Sequence, residues 1–174
     1  MLASALLPLT ALPAGAATAT ATVTAGALAF VSTPPNVTFS DTLNGTNQTA
    51  TATQALDVGD ATGSGAGWNI TATSTTFATG GGATLSASAT TVQSAPTKVC
   101  DASSSCVLAT TNVSYPYTLP AGATAPTATK VFNATANTGQ GDETVTVTWS
   151  LAIPATTTAG TYTSTWTISL VSGP

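Results

Sequence analysis

The chain has 174 residues, of which 2 are Lys or Arg, 6 are Asp or Glu and none is His, so the formal net charge is −4. Because histidine and arginine are both missing, the sequence excludes a Ser-His-Asp triad, and its two lysines are too few to neutralise the phosphates of a nucleic acid. We therefore expect a protein that is not an enzyme, with no catalytic residue, no cofactor, no metal and no nucleic-acid partner.

An apolar segment opens the chain and predicts secretion. Residues 1–16 are rich in Leu and Ala and end in Ala14-Gly15-Ala16, which fits the small-residue pattern of a signal-peptide cleavage site. No Lys or Arg precedes the apolar stretch, so the natural start could also lie upstream. The later residues contain no run of about 18 apolar side chains, the length that a membrane-spanning helix requires. We expect a secreted protein, extracellular or on the cell surface, with no transmembrane segment in the mature chain.

Residues 17–30 are predicted to form an N-terminal strand. Ala19, Ala21, Val23 and Ala25 alternate with threonines, so small apolar side chains share one face and hydroxyls share the other. The segment carries no charge. Such a strand suits insertion into a groove on a neighbouring copy of the chain, as a donor strand.

Period-two patterns continue through residues 31–174, which we expect to form one domain. In residues 143–153 apolar side chains share one face and hydroxyl side chains the other, and residues 161–170 repeat the pattern. Shorter strands are predicted at residues 36–39, 49–56, 68–73, 83–88, 113–119 and 130–136. The fold class is therefore all-β, an antiparallel β-sandwich (Ig-like or jelly-roll-like) of short strands.

The last two predicted strands carry tryptophan on their apolar faces. Exposed aromatic side chains can line a sugar groove, but the alternating pattern favours packing of Trp149 and Trp166 in the core. Pro154 and Gly160 interrupt the chain between these strands. The interruption indicates either a hairpin or a crossover between two sheets.

Cys100 and Cys106 flank a short polar loop and are close enough in sequence to pair. A disulfide indicates an oxidising compartment. A zinc site would need two further ligands, and the sequence has no histidine to supply them. Two free, buried thiols are the alternative to the disulfide.

Six of the seven asparagines stand in the sequence Asn-x-Ser/Thr, which is the acceptor for N-glycosylation. These asparagines are Asn36, Asn44, Asn47, Asn69, Asn112 and Asn133. Glycans at these positions fit an extracellular surface. Alternation of polar residues on solvent-facing strands would generate the same pattern, so both explanations stay open.

Two short acidic segments could offer oxygen ligands to calcium. Asp57 and Asp60 flank a Val-Gly pair, and Asp142 precedes Glu143. Calcium prefers carboxylates and loop carbonyls, but this spacing does not match an EF-hand loop. We expect solvated carboxylates in turns rather than a metal site.

Aromatic motifs give the chain a family resemblance. Trp68-Asn69-Ile70, with Phe77 downstream, resembles one Trp-x-Leu motif, and Trp166-Thr167-Ile168 resembles a second copy. On these motifs most of the mature chain resembles the WxL and WxL-like domains of bacterial cell surfaces. Both copies carry Ile in place of Leu, and the literal Trp149-Ser150-Leu151 falls on the preceding strand. The resemblance implies a secreted β-sandwich held non-covalently on the envelope, often through cell-wall polymer, and it implies no catalytic residue.

Two functions from different classes fit this sequence. We expect first a structural subunit of a pilin-like extracellular filament or surface coat, in which copies of the chain form a head-to-tail homopolymer by donor-strand complementation. Faces of Ser and Thr favour such packing because they lack charge repulsion. The alternative is a WxL-like module that binds cell-wall polymer or belongs to an adhesin.

Overall fold

The computed structural model describes residues 15–102 and 104–174, and most of the predicted leader, residues 1–16, lies outside them. The described residues form ten strands, and none of them forms a helix capable of crossing a membrane. The strands are β1 (Leu28–Phe30), β2 (Gln48–Asp60), β3 (Trp68–Thr75), β4 (Thr90–Val92), β5 (Thr97–Cys100), β6 (Tyr117–Thr118), β7 (Ala121–Gly122), β8 (Thr129–Ala134), β9 (Gly141–Ile153) and β10 (Trp166–Ser172).

The first sheet is built around the long strands β2 and β9. These strands pair antiparallel over 13 residues each, from Gln48 opposite Ile153 to Asp60 opposite Gly141. β1 pairs with the outer edge of β2, whereas β4 and β5 pair with different parts of β9, and β6 pairs with β4. Alternate positions along β2 and β9 are buried, so one face of this sheet contributes to the core.

The second sheet is built around β3. β10 pairs antiparallel with β3 on one edge, while β8 and β7 pair with it in succession on the other. The short β3–β7 pair is parallel. Since β9 and β10 belong to different sheets, the segment between them is a crossover and not a hairpin. The predicted all-β fold of two sheets is confirmed, with this one parallel pair as a departure from an antiparallel sandwich.

The predictions for individual strands are confirmed where alternation is long. Residues 49–56, 68–73, 130–136 and 143–153 correspond to β2, β3, β8 and β9. The strands predicted at 36–39 and 83–88 are wrong, because these residues belong to no strand. Pro34 and Pro35 precede the first of these segments, and Gly80 to Gly82 precede the second, so both lie in loops.

Three other predicted strands are shorter in the structure than in the pattern. Only Tyr117–Thr118 is a strand within residues 113–119, and the last strand begins at Trp166 instead of residue 161. Within residues 17–30, only Leu28–Phe30 is a strand, and it pairs with β2 of its own domain.

The core lies between the two sheets. Val58 and Trp149 from the first sheet and Ile70 and Phe132 from the second are each fully buried in one apolar cluster. Trp68 packs against Phe132 with ring centroids 5.9 Å apart. Burial of apolar surface from both sheets is the main source of stability in such a fold.

The indole of Trp68 also sets a tight constraint on the loop between β8 and β9. Its Nε1 donates a hydrogen bond to Gly139 O at 2.8 Å. Gly139 has φ +69°, and a Cβ at this position would lie 2.6 Å from Trp68 Nε1 and 2.5 Å from Ala134 Cβ. The position therefore requires glycine for both its backbone conformation and its close packing.

We predict that Gly139→Ala lowers the free energy of unfolding by about 2–3 kcal/mol, since the added methyl group overlaps the indole. Gly63→Ala is the matched control, because Gly63 has φ +64° but nothing within 4 Å of the added Cβ. The free energy of unfolding of the Gly63→Ala control should fall by only about 1 kcal/mol. Chemical denaturation measures both changes, and equal losses would contradict the packing constraint.

Candidate functional site

The described residues form an open groove of about 1280 Å³. Two loop segments line it, residues 33–43 before β2 and residues 157–165 before β10. Further lining comes from Leu151 and Ile153 of β9 and from Phe77 after β3. The groove thus lies where two loops approach the sandwich, and both sheets contribute to it.

Aromatic rings form a continuous cluster in this groove. Phe39, Phe77 and Trp166 all line it, and their ring centroids lie 6.1–6.4 Å apart. Trp166 also contacts the buried Trp149 in a T-shaped pair, with centroids 4.8 Å apart. The core position predicted for Trp149 is confirmed. Trp166 packs against the core but is only partly buried, so one part of its ring is available to the groove.

Gln54 on β2 fixes one side of the groove to the core. Its side chain is 3 % exposed, its Nε2 donates to Pro35 O at 2.7 Å, and its Oε1 accepts from Trp149 Nε1 at 3.0 Å. One buried amide therefore joins the core indole to the loop of residues 33–43. Trp149 and the Gln54 amide are both buried, so the hydrogen bond between them carries more weight than an exposed one.

The loop on the other side of the groove is held by several hydrogen bonds. Thr163 and Ala78 exchange backbone hydrogen bonds of 2.9 and 3.0 Å, and Ser164 Oγ donates to Thr75 O at 2.5 Å. Tyr162, which lines the groove, donates from its hydroxyl to Thr158 O at 2.9 Å. The aromatic side chain is thereby oriented before any ligand binds.

The polar lining of the groove is almost entirely uncharged. Hydroxyl and amide side chains supply most of it, and Asp41 is the one carboxylate among the lining residues, which include no Lys or Arg. Asp41 Oδ1 already accepts from Thr42 N at 2.7 Å and from Gln48 Nε2 at 2.9 Å. Such a lining suits a neutral, hydroxyl-rich ligand, because phosphate or carboxylate groups would find no cation to pair with.

The two copies of the Trp-x-Ile motif lie on neighbouring strands of the second sheet. Trp68 and Ile70 are fully buried on β3, whereas Trp166 and Ile168 are partly buried on β10 and both line the groove. Ile70 lies opposite Leu170 in the β3–β10 pair. The first copy therefore belongs to the core, and the second joins the core to the groove.

Pattern alone did not identify several groove residues. Phe39 and Gln54 were not predicted as site residues, and Phe77 entered only as the aromatic residue downstream of the first motif. One signal was present for Phe39: an aromatic side chain that follows Pro34-Pro35 in a loop needs an apolar contact outside that loop.

The cysteines and sequons have definite positions in the structure. Cys100 and Cys106 form a disulfide, with Cα atoms 5.6 Å apart. Among the sequon asparagines, Asn69 is 6 % exposed and Asn133 is 0 % exposed, so the folded domain has no room for a glycan at either position. N-glycosylation stays a prediction for the exposed asparagines, which are Asn36, Asn44, Asn47 and Asn112.

The acidic segments behave differently from the expectation of solvated turns. Glu143 is 1 % exposed, and burial raises the pKa of its carboxyl, against the opposing effects of the Ala109 N–H and of Lys98. Asp60 is also buried and accepts from Thr62. Asp57 and Asp142 instead lie close to Asp101, away from the groove lining.

These features define a β-sandwich with an open, aromatic groove whose lining residues include one carboxylate and no Lys or Arg. The sequence matches the WxL family, described as WxL domain surface cell wall-binding, over residues 17–174. No curated protein and no solved structure matches the chain.

The chain belongs to the WxL family, which confirms the resemblance carried by the motifs. This is a family of cell-surface domains that bind the cell wall and not a family of enzymes. Together with the disulfide, membership confirms the predicted extracellular or surface location. The match supports the alternative of a wall-binding module over the filament subunit.

We predict that Gln54→Leu lowers the free energy of unfolding by about 1–3 kcal/mol, because it leaves the buried indole N–H of Trp149 without a partner and removes the hydrogen bond to Pro35 O. Residues 33–43 should also exchange their amide hydrogens faster. Gln93→Leu is the control, since Gln93 is exposed and its amide bonds only to Thr91. Unchanged exchange in residues 33–43 of the Gln54 variant would contradict this link.

Proposed function

We propose that this domain binds the glycan of the cell wall in the groove formed by residues 33–43, residues 157–165 and the aromatic cluster. The observation that supports this proposal is that partly exposed aromatic rings and hydroxyl and amide side chains lie along one open groove. Sugar rings present apolar C–H faces together with equatorial hydroxyls. A surface of this composition matches both, through ring contacts and neutral hydrogen bonds.

The charge of the chain favours the glycan over anionic wall polymers. The net charge is −4, and no Lys or Arg lines the groove. A polymer of phosphodiesters or uronic acids would be repelled by this surface without any compensating cation. The neutral sugar backbone carries no such penalty.

The volume and the open shape of the groove support binding of a polymer over binding of a small molecule. Its volume of about 1280 Å³ exceeds the usual size of an enclosed small-molecule pocket, roughly 300–1,000 Å³. An open groove lets a chain enter and leave at its ends. When many sites on one wall are within reach, weak contacts at each of them together retain the protein on the wall by avidity.

We predict that Tyr162→Ala weakens binding to purified cell wall, cleared of its anionic polymers, about fivefold. Loss of one contact between an aromatic ring and a sugar costs about 1 kcal/mol of binding free energy. Co-sedimentation with wall that has been cleared of anionic polymers measures the change. Val99→Ala is the control, since Val99 is 60 % exposed and does not line the groove.

Two outcomes of this experiment would reject the groove as the binding site. One is wild-type binding by the Tyr162 variant, provided that its thermal unfolding is unchanged. The other is binding only to wall that retains its anionic polymers.

Filament assembly through the N-terminal segment is a second, less supported function. Ala19, Ala21, Val23 and Ala25 are exposed and belong to no strand, and Val23 is 94 % exposed, so they are free to pair with another copy. Against this, Leu28–Phe30 already completes the edge of β2 in its own domain.

Deletion of residues 17–25 separates the two functions. A donor strand predicts that the deletion leaves a folded, strictly monomeric protein, whereas a wall-binding module predicts unchanged co-sedimentation with wall. Fibres formed by the deletion variant, seen by negative-stain microscopy, would rule out donor-strand assembly.

A further inference from the structure

One edge of the first sheet is open along most of its length. β1 pairs only with the last residues of β2, from Val58 to Asp60, and residues 48–56 of β2 have no strand on the side away from β9. On that side, no described residue forms a backbone hydrogen bond with residues 48–56. The side chains of Thr51 and Thr53 are exposed, so solvent reaches this edge.

The backbone groups of this edge point outward at every second residue. Val31 N donates to Asp57 O at 2.9 Å on the β1 side, so the carbonyl of Asp57 points away from β9. Ala152, which lies opposite Thr49 on β9, donates to Ala89 O at 2.9 Å and so turns its N–H away from β2. In an antiparallel pair, alternate residues of a strand direct their backbone groups to the same side. The N–H and C=O groups of the odd-numbered residues from 49 to 55 are therefore open to a partner strand.

This edge lacks the features that usually prevent a strand from pairing with another chain. Natural sheet edges are protected by proline, by charged side chains, especially lysine, or by bulges. Residues 48–56 contain no proline and no charged residue, and their pairing with β9 runs without a shift in register. Residues 33–43 contact the strand through the side chains of Gln48 and Gln54, which leaves its backbone groups free. Such an edge is suited to accept a further strand by β-augmentation.

The edge is complementary to itself. An antiparallel pairing about a twofold axis at Ala52 places Thr51 of one copy opposite Thr53 of the other. It places Thr49 opposite Ala55 in the same way. All four of these residues have outward backbone groups, so each such pair exchanges two hydrogen bonds. Threonine side chains stabilise each other across paired strands, and the edge has no like charges to repel at the axis.

The same axis also fits the length of the open edge. In this pairing Gln48, with which β2 begins, lies opposite Leu56 of the other copy. The next residue, Asp57, already accepts from Val31. A second copy therefore fills the open part of the edge and does not compete with β1.

We propose that two copies of this chain pair through residues 48–56 of β2 and form one continuous sheet across a twofold dimer. Residues 17–25 of another copy are the rival occupant of the edge, but they belong to no strand and must be ordered on pairing, whereas β2 is already ordered. One strand pair buries little surface, so we expect a dissociation constant of about 10–100 μM. This inference goes beyond the proposed function and does not rest on it.

Sedimentation equilibrium of the purified full chain measures this dimer. The mass should rise from that of a monomer to that of a dimer as the protein concentration passes through the range stated above. Thr51→Pro should weaken dimerisation about tenfold or more, because proline removes an outward N–H but leaves the hydrogen bonds to β9 in place. Thr51→Ala is the matched control, since it keeps the N–H, and its dissociation constant should stay within about twofold of that of wild type.

Ala52→Cys tests the position of the axis. At the axis the two cysteines form a pair without backbone hydrogen bonds, and the Cα separation of about 4.5 Å in such a pair is within the range of a disulfide. Mild oxidation should therefore link this variant into a covalent dimer. Ala55→Cys is the control and should stay unlinked, because Ala55 lies opposite Thr49 of the other copy, far from the second introduced thiol.

The proposal is overturned if the wild-type protein stays monomeric up to about 500 μM. It is also overturned if a folded Thr51→Pro variant dimerises as wild type does, or if oxidation links Ala55→Cys and not Ala52→Cys. The cysteine pair keeps the test decisive if the proline variant does not fold. Deletion of residues 17–25 should leave the dimer intact. Loss of the dimer in this deletion means that the N-terminal segment occupies the edge, and it overturns the proposal too.

Discussion

The buried amide of Gln54 is the interaction on which the groove depends. It accepts from the core indole of Trp149 and donates to the carbonyl of Pro35, so the loop of residues 33–43 is held by the same hydrogen bonds that satisfy the core. Phe39, on that loop, packs against Phe77 and Trp166. The groove is therefore continuous with the core, because Trp166, which lines the groove, packs against the fully buried Trp149.

Under the proposed function, this arrangement explains how a domain so poor in charge binds the wall. Rigid aromatic side chains supply contact area with little loss of conformational entropy, and hydroxyl groups supply hydrogen bonds without a strong desolvation penalty. The long β2–β9 pair and the crossover to β10 bring these groups together from distant parts of the chain. In the proposed binding mode, contact with the glycan depends on the placement of these side chains.

Much of the fold could be predicted because a long alternation of apolar and polar residues indicates a β-strand with one buried face. β2, β3, β8 and β9 combine apolar and polar residues at period two, so their existence and faces follow from the sequence. The very short strands β6 and β7 have no such pattern, since two residues carry no periodicity. The prediction of a strand at residues 36–39 was wrong, because a loop that partly buries Val37 and Phe39 has the same apolar spacing as a strand.

The groove and the acidic cluster could not be predicted for a different reason. Each depends on contacts between residues that are far apart in sequence, such as Asp57 with Asp101 and Asp142, and no local pattern in a single sequence shows which loops meet. The Trp-x-Ile motifs were a partial guide, because Trp166 marks the place where the second sheet reaches the groove. The N-terminal alternation was misleading as a sign of a strand, since exposed Ala and Thr can alternate without pairing.

Binding of wall glycan in the groove can be tested most directly through the three tryptophans. Trp68 Nε1 and Trp149 Nε1 are each committed to a buried hydrogen bond, whereas Trp166 lines the groove. Nuclear magnetic resonance of the indole N–H groups, recorded while soluble wall glycan is added, should show the Trp166 signal shift with saturation while the Trp68 signal stays in place. A Trp166 signal that does not move, under conditions in which the protein still binds intact wall, would contradict the account.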